Sequence, residues 1–242
     1  QVDGAITGSS TINGVGIKYN ITNFTSSLLI SNDAGTGTLD AASNNTGLGH
    51  QAFNNLTSGD DNTAIGTNSM FANTTGSDNT AVGLSSLNAN TTGANNTAIG
   101  SSTLVANTTG GANTAVGTFA LDANTTANHN TSVGYFSLSA NTTGGENTAV
   151  GQGALESNTT ASNNTAIGRL ALTTNTTGAG NTAVGALSLD ANTTGASNTA
   201  VGENALGANT TGSNNAAFGE GSLLKNTTAS DNVSVGDASM VE

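Results

Sequence analysis

A seventeen-residue period limits what this chain can fold into more than any other feature. Aligned on the Asn that opens each unit, Asn45, Asn62, Asn79, Asn96, Asn113, Asn130, Asn147, Asn164, Asn181, Asn198, Asn215 and Asn232 fall in one column without a slip. Eleven complete units and one truncated unit follow N-T-A-[V/I]-G-x-x-[A/S]-L-x-A-N-T-T-G-x-x, whose positions are numbered one to seventeen below. A short fixed period with no insertion is the mark of a stacked solenoid in which each unit forms one coil. At the ~4.8 Å spacing of paired strands, twelve coils make a rod roughly 55 Å long.

Position four is apolar in every unit, from Leu48 and Ile65 to Val235, and so is position nine, from Phe53 and Met70 to Met240. This spacing predicts two short strands per coil that face each other across a thin core, with Val116, Leu121, Val133, Leu138, Val150 and Leu155 typical of it. Helices fit poorly, because each unit holds Gly, β-branched residues and an Asn-Thr-Thr corner. Position five is Gly throughout, from Gly49 to Gly236. A turn with positive φ, or an approach too close for a Cβ atom, accounts for it. A phosphate-binding glycine loop would occur once, before a helix, so this repeated Gly is structural.

Identical residues one coil apart can interact with each other. Asn62, Asn79, Asn96, Asn113, Asn130, Asn147, Asn164, Asn181 and Asn198 are expected to stack as a ladder of amides, as is the Asn of each NTT. NTT is formally a glycosylation sequon. Sugars about 5 Å apart on every rung would crowd one another, which favours the ladder. Outward Thr columns also raise ice binding as a minor alternative, but adjacent strand residues point to opposite sides, so NTT does not form a two-column Thr face.

Only 34% of residues are apolar and 3% aromatic, and there is no Cys, so the core is thin and no disulfide staples it. Association of several copies, with a trimer foremost, is expected to bury the small residues at positions three, eight and eleven. Lys18, Arg169 and Lys225 are the only basic residues against a net charge of -12, and they form no cluster, which excludes binding to nucleic acid. No stretch has the length of a membrane span, so membrane insertion is not expected. Positions six, seven, ten, sixteen and seventeen vary and should face outward. Phe119 with Phe136, and Leu170 with Leu187, mark a contact surface among them.

Residues 1–44 lie outside the repeat that fills residues 45–242. Ile17, Tyr19 and Ile21 alternate with polar residues before Phe24 and the run Leu28, Leu29, Ile30, which reads as one or two strands and then a turn through Asn32 to Gly35. This segment either caps the first coil or docks on the open end of another copy to make a head-to-tail filament.

No catalytic constellation assembles. His50 and His129 stand in variable positions more than four coils apart, and no nucleophile elbow is present, so neither an enzyme nor a cofactor is expected. Glu203, Glu220 and Asp237, at position six of successive coils, are weak calcium candidates. The glycine-rich calcium-binding repeat is absent, which favours a solvated acidic edge.

The units NTAVGQGALESNTT and NTAVGALSLDANTT resemble repeats of phage tail-fibre proteins and their bacterial surface relatives. They are also similar to a lengthened form of the head repeat of YadA-like trimeric autotransporter adhesins. The resemblance covers residues 45–242. It implies an all-β solenoid, or β-roll, in a homo-oligomeric fibre, extracellular, on a cell surface or on a virion, with a host surface receptor or glycan as partner.

Overall fold

The computed structural model describes residues 8–12, 15–21, 24–31 and 41–240. Twelve three-residue strands, β5 (Thr46–Leu48) to β16 (Val233–Val235), come one per coil and pair in parallel with their neighbours. Their register advances by one whole unit at each step, Thr131 facing Thr148 and Val133 facing Val150. The described residues contain no helix, and the chain is an all-β parallel solenoid.

The N-terminal segment extends the same sheet. β1 (Gly8–Ile12) pairs antiparallel with β2 (Val15–Ile21), and β2 with β3 (Phe24–Ser31). β3 then runs parallel to β5, Leu28 facing Thr46 and Ile30 facing Leu48, and to the two-residue β4 (Ala42–Ser43). Ile17, Tyr19 and Ile21 therefore lie on β2, and Phe24, Leu28, Leu29 and Ile30 on β3. Leu29 is buried within the core of the first coils, beside Phe53. The turn expected through Asn32 to Gly35 lies outside the described residues.

Two expectations need correction. The first is the second strand. Residues at positions seven and nine adopt left-handed φ in coil after coil, as at Phe119 (56°) and Leu121 (54°), so this side of the coil is not extended. It is nonetheless bonded rung to rung: Leu121 N–H donates to the Ser137 carbonyl at 3.0 Å and Ala123 N–H to Ser139 at 3.1 Å.

The second correction concerns the core. Alternation along a three-residue strand sends its first and third residues to one side and its middle residue to the other. Ala115, Ala149 and Ala166, at position three, are the inward residues and are fully buried. Val116, Val133 and Val150, expected in the core, are only half-buried and face outward, while Leu121, Leu138 and Leu155 are fully buried as expected. The core is a column of small alanines against a column of leucines, closed by position eight. Positions three and eight are thus buried inside a single chain without help from a partner, and position eleven is half-buried.

Serines inside this core are matched to each other. Where position three becomes Ser132, position eight of the same coil is Ser137, and their hydroxyls lie 2.5 Å apart. Ser234 repeats the pairing with Ser239 at 2.8 Å and with Ser222 at 2.9 Å. A buried hydroxyl without a partner is costly, and where position three keeps Ala the position-eight hydroxyl finds a backbone carbonyl instead, as Ser69 does at Ala81 and Ser86 at Ala98.

Among the described residues, Asp190, at position ten, is the one titratable group whose environment moves it clearly. Burial pushes its carboxyl above the ordinary value, opposed by its own backbone N–H and that of Ala191. A raised folded-state pKa means that folding favours the protonated acid, so the carboxylate weakens the fold above that pKa and the penalty fades as pH falls through it. Asp190→Asn is expected to be more stable than wild type at pH 7, with the difference shrinking in thermal melts taken at progressively lower pH.

Candidate functional site

Two columns of buried asparagine are the best-ordered polar feature of the molecule. At position one, Asn130 Nδ2 donates to Asn113 Oδ1 at 3.3 Å and to the Gly144 carbonyl of its own coil at 3.0 Å. Its Oδ1 accepts from both the backbone N–H (3.0 Å) and Nδ2 (3.2 Å) of Asn147. The amide thus uses both protons and both lone pairs, which Asp cannot do and longer Gln could not do in the same space. Asn62, Asn79, Asn96, Asn113, Asn147, Asn181 and Asn198 belong to the same column and are fully buried. Asn164 is the exception in its bonding, because its Nδ2 is buried without a partner.

At position twelve, Asn90, Asn107 and Asn124 repeat the scheme with amide contacts of 2.8 to 2.9 Å to the preceding coil. Both columns meet at position fifteen: the Gly110 carbonyl accepts from Asn96 and from Asn107, each at 2.9 Å. These asparagines are the sequon residues, and they are fully buried in the folded rod. The first Thr of NTT is engaged as well, Thr108 Oγ1 donating to the Thr125 carbonyl at 3.0 Å. Only the second Thr is exposed, as at Thr109, Thr126 and Thr143. NTT is therefore a buried corner with a single outward hydroxyl column.

What the rod shows to solvent is set by the remaining positions. From Thr63 to Val201 its strand face carries Thr at position two and Val or Ile at position four in every coil, with Ile65 at 37% and Ile167 at 41% exposure. A second patch lies at positions six and seven. The Phe119 and Phe136 rings stack with centroids 5.0 Å apart, and Tyr135, half-exposed, meets Phe136 edge-on at 4.4 Å.

Glu203, Glu220 and Asp237 occupy exposed places at position six, but among the described residues no three acidic, His or Cys groups gather closely enough to hold a metal ion. His50 and His129 lie far apart on the rod, as their numbers imply. His129 does line a corner cleft with Glu146, one coil on in the same column, which the repeat pattern alone did not single out. No described helix is long and apolar enough to cross a membrane.

Comparison with known protein families, with curated proteins and with solved structures finds no match for this chain.

Proposed function

We propose that this protein is a non-enzymatic structural and adhesive element: a stiff rod, extracellular or carried on a virion or cell surface, that works by attachment. The carrying observation is the division of labour among its side chains. The repeated amides and the first Thr of each NTT are consumed inside the rod by neighbours one coil away, leaving Thr of positions two and fourteen and the variable positions as a surface presented at regular intervals. Stiffness and repeated presentation suit multivalent attachment, in which weak contacts multiply. The resemblance to tail-fibre and adhesin repeats supports the same reading.

The strand face supports self-association. A strip about 55 Å long and about 10 Å wide amounts to roughly 550 Å² per copy, which brings a pairwise contact to the lower end of specific interfaces. Its Thr and Val columns suit burial against a second copy better than exposure. A homo-oligomer packed through this face, a trimer in the arrangement the resemblance implies, follows. Sedimentation equilibrium of wild type should give a multiple of the chain mass, and Val133→Asp with Val150→Asp should give monomers that keep the β circular-dichroism signal. A wild-type mass equal to one chain at every concentration refutes the association. Electron microscopy separates discrete short rods, expected for a fibre, from long polymers, which would favour filament growth through the N-terminal strands. Thermal hysteresis of freezing would instead favour an ice-binding solenoid.

A further inference from the structure

Position seventeen requires a left-handed backbone, and the chain meets that need mostly with residues that adopt it at little cost, Asp61, Asp78, Asn95, Asn163, Gly180, Asn214 and Asp231, but also with Ala112 and Ser197. Glu146 stands in the same column with φ of 60°, next to His129 with φ of 60°. His and Asn enter this region readily, whereas Glu146, like Ala112 and Ser197 of the same column, does so against the preference of its side chain. The residue is exposed, so core packing does not require it.

Glu146 borders a cleft of about 330 Å³ that spans the fifth, sixth and seventh coils. The cleft opens because Gly145 leaves position sixteen without a side chain between Asn128 and Ser162. A Cβ placed on Gly145 would come near only the Asn128 carbonyl, at 3.1 Å. Around that gap stand the hydroxyls of Thr126 and Thr143, the imidazole of His129 and the carboxylate of Glu146. Ser162 Oγ forms one wall and accepts from Gly145 N–H at 3.0 Å.

We propose that this cleft binds one neutral sugar residue of a glycan. Its walls alternate hydroxyl, amide, imidazole and carboxylate groups, a mixture of donors and acceptors that matches the hydroxyls of a pyranose, each of which both donates and accepts. Its volume is at the small end of ligand pockets, which suits one ring. Other ligands fit the chemistry less well. A metal ion finds one carboxylate and one imidazole, too few ligands to hold it. A phosphate or carboxylate faces Glu146 with no Lys or Arg in the lining. A peptide finds no apolar pocket for an anchoring side chain, since Ala127 and the Thr methyls are the only apolar groups. The inference rests on the attachment reading and gives that attachment a chemical target.

The test uses the whole chain and the methyl glycosides of glucose, galactose, mannose and N-acetylglucosamine as probes, with inorganic phosphate and sialic acid as charged comparators. Saturation-transfer and chemical-shift NMR should show at least one methyl glycoside binding wild type, with perturbed amides at Thr143, Gly145 and Glu146. Gly145→Asn fills the gap with the residue that already stands at this position in the preceding coil, and should weaken binding about tenfold or more, a loss of about 1.4 kcal/mol. Glu146→Gln should weaken it several-fold, and both variants should melt at the wild-type temperature. Binding of the charged probes alone, equal binding by Gly145→Asn, or no binding of any glycoside overturns the proposal. If wild-type rods still adhere to cells while no glycoside binds, the cleft is refuted and the attachment reading stands.

Discussion

Gly134→Ala is expected to disrupt the rod at its middle, whereas Gly110→Ala, also within the stack, is expected to be tolerated. Gly134, at position five, has φ of 140°, a conformation closed to residues with a Cβ, and a Cβ there would lie 2.5 Å from the Gly151 carbonyl oxygen. The obstacle is backbone of the next coil, which cannot move without breaking the ladder. Strain of this kind costs about 1–3 kcal/mol, and forced overpacking adds about 1–3 more. A loss of roughly 3–5 kcal/mol should appear as a large fall in the urea midpoint. Gly110, at position fifteen, has equally close neighbours around its missing Cβ, the Ala127 carbonyl oxygen and, at 2.5 Å, the Asn107 amide oxygen, but its φ is not left-handed. The chain itself carries Ala127, Ala161 and Ala229 at this position, so neighbouring coils make room for a methyl there, and φ is what separates the two sites. If the two variants unfold alike, the conformational role given to position five is wrong.

Asn130→Ala is the second large effect. It deletes four hydrogen bonds and strands the Asn147 N–H in a buried corner, while the Gly144 carbonyl keeps the Asn141 amide at 2.9 Å. The stranded group costs about 1–3 kcal/mol and each of the other three lost bonds about 0.5–1.5 kcal/mol, which places the total at roughly 3–7 kcal/mol. Asn164→Ala supplies the internal comparison. Its Nδ2 has no partner to lose, and its side chain's contribution rests on Oδ1 accepting from Asn181 N–H at 2.9 Å. The Asn164 variant should be measurably less damaged than the Asn130 variant in denaturant unfolding. Equal losses would mean that the amide columns stabilise by shape alone.

Periodicity made the solenoid, its coil length and the amide columns legible, because a repeat that never slips admits few geometries and because Asn beside Asn is a recognisable pair. It misled about which side of the strand faces inward. Val and Ile look like core residues beside Ala by hydrophobicity alone, but a three-residue strand puts either position three or its flanks inside, and the place opposite the Leu column is filled only by Gly, Ala or Ser. Neither choice shows in composition. The second strand failed for a related reason: left-handed φ at Leu121 and Leu138 is a backbone decision that no Leu announces. The serines of position three could have been noticed, since Ser132 and Ser234 depart from the consensus Ala and each shares its coil with a Ser at position eight. The cleft beside Glu146 depends on Gly145 and its two neighbours acting jointly across coils, which becomes visible only when those coils are stacked.

A bonding scheme that treats each rung like the next also makes length adjustable. Gain or loss of one whole unit leaves every surviving amide facing an identical amide, because each coil touches only its immediate neighbours. Reach can therefore be lengthened or trimmed by duplication and deletion in steps of about 4.8 Å. A change of any other size would throw the unlike positions of two coils against each other, so the spacing that holds the rod together also restricts the steps by which it can change.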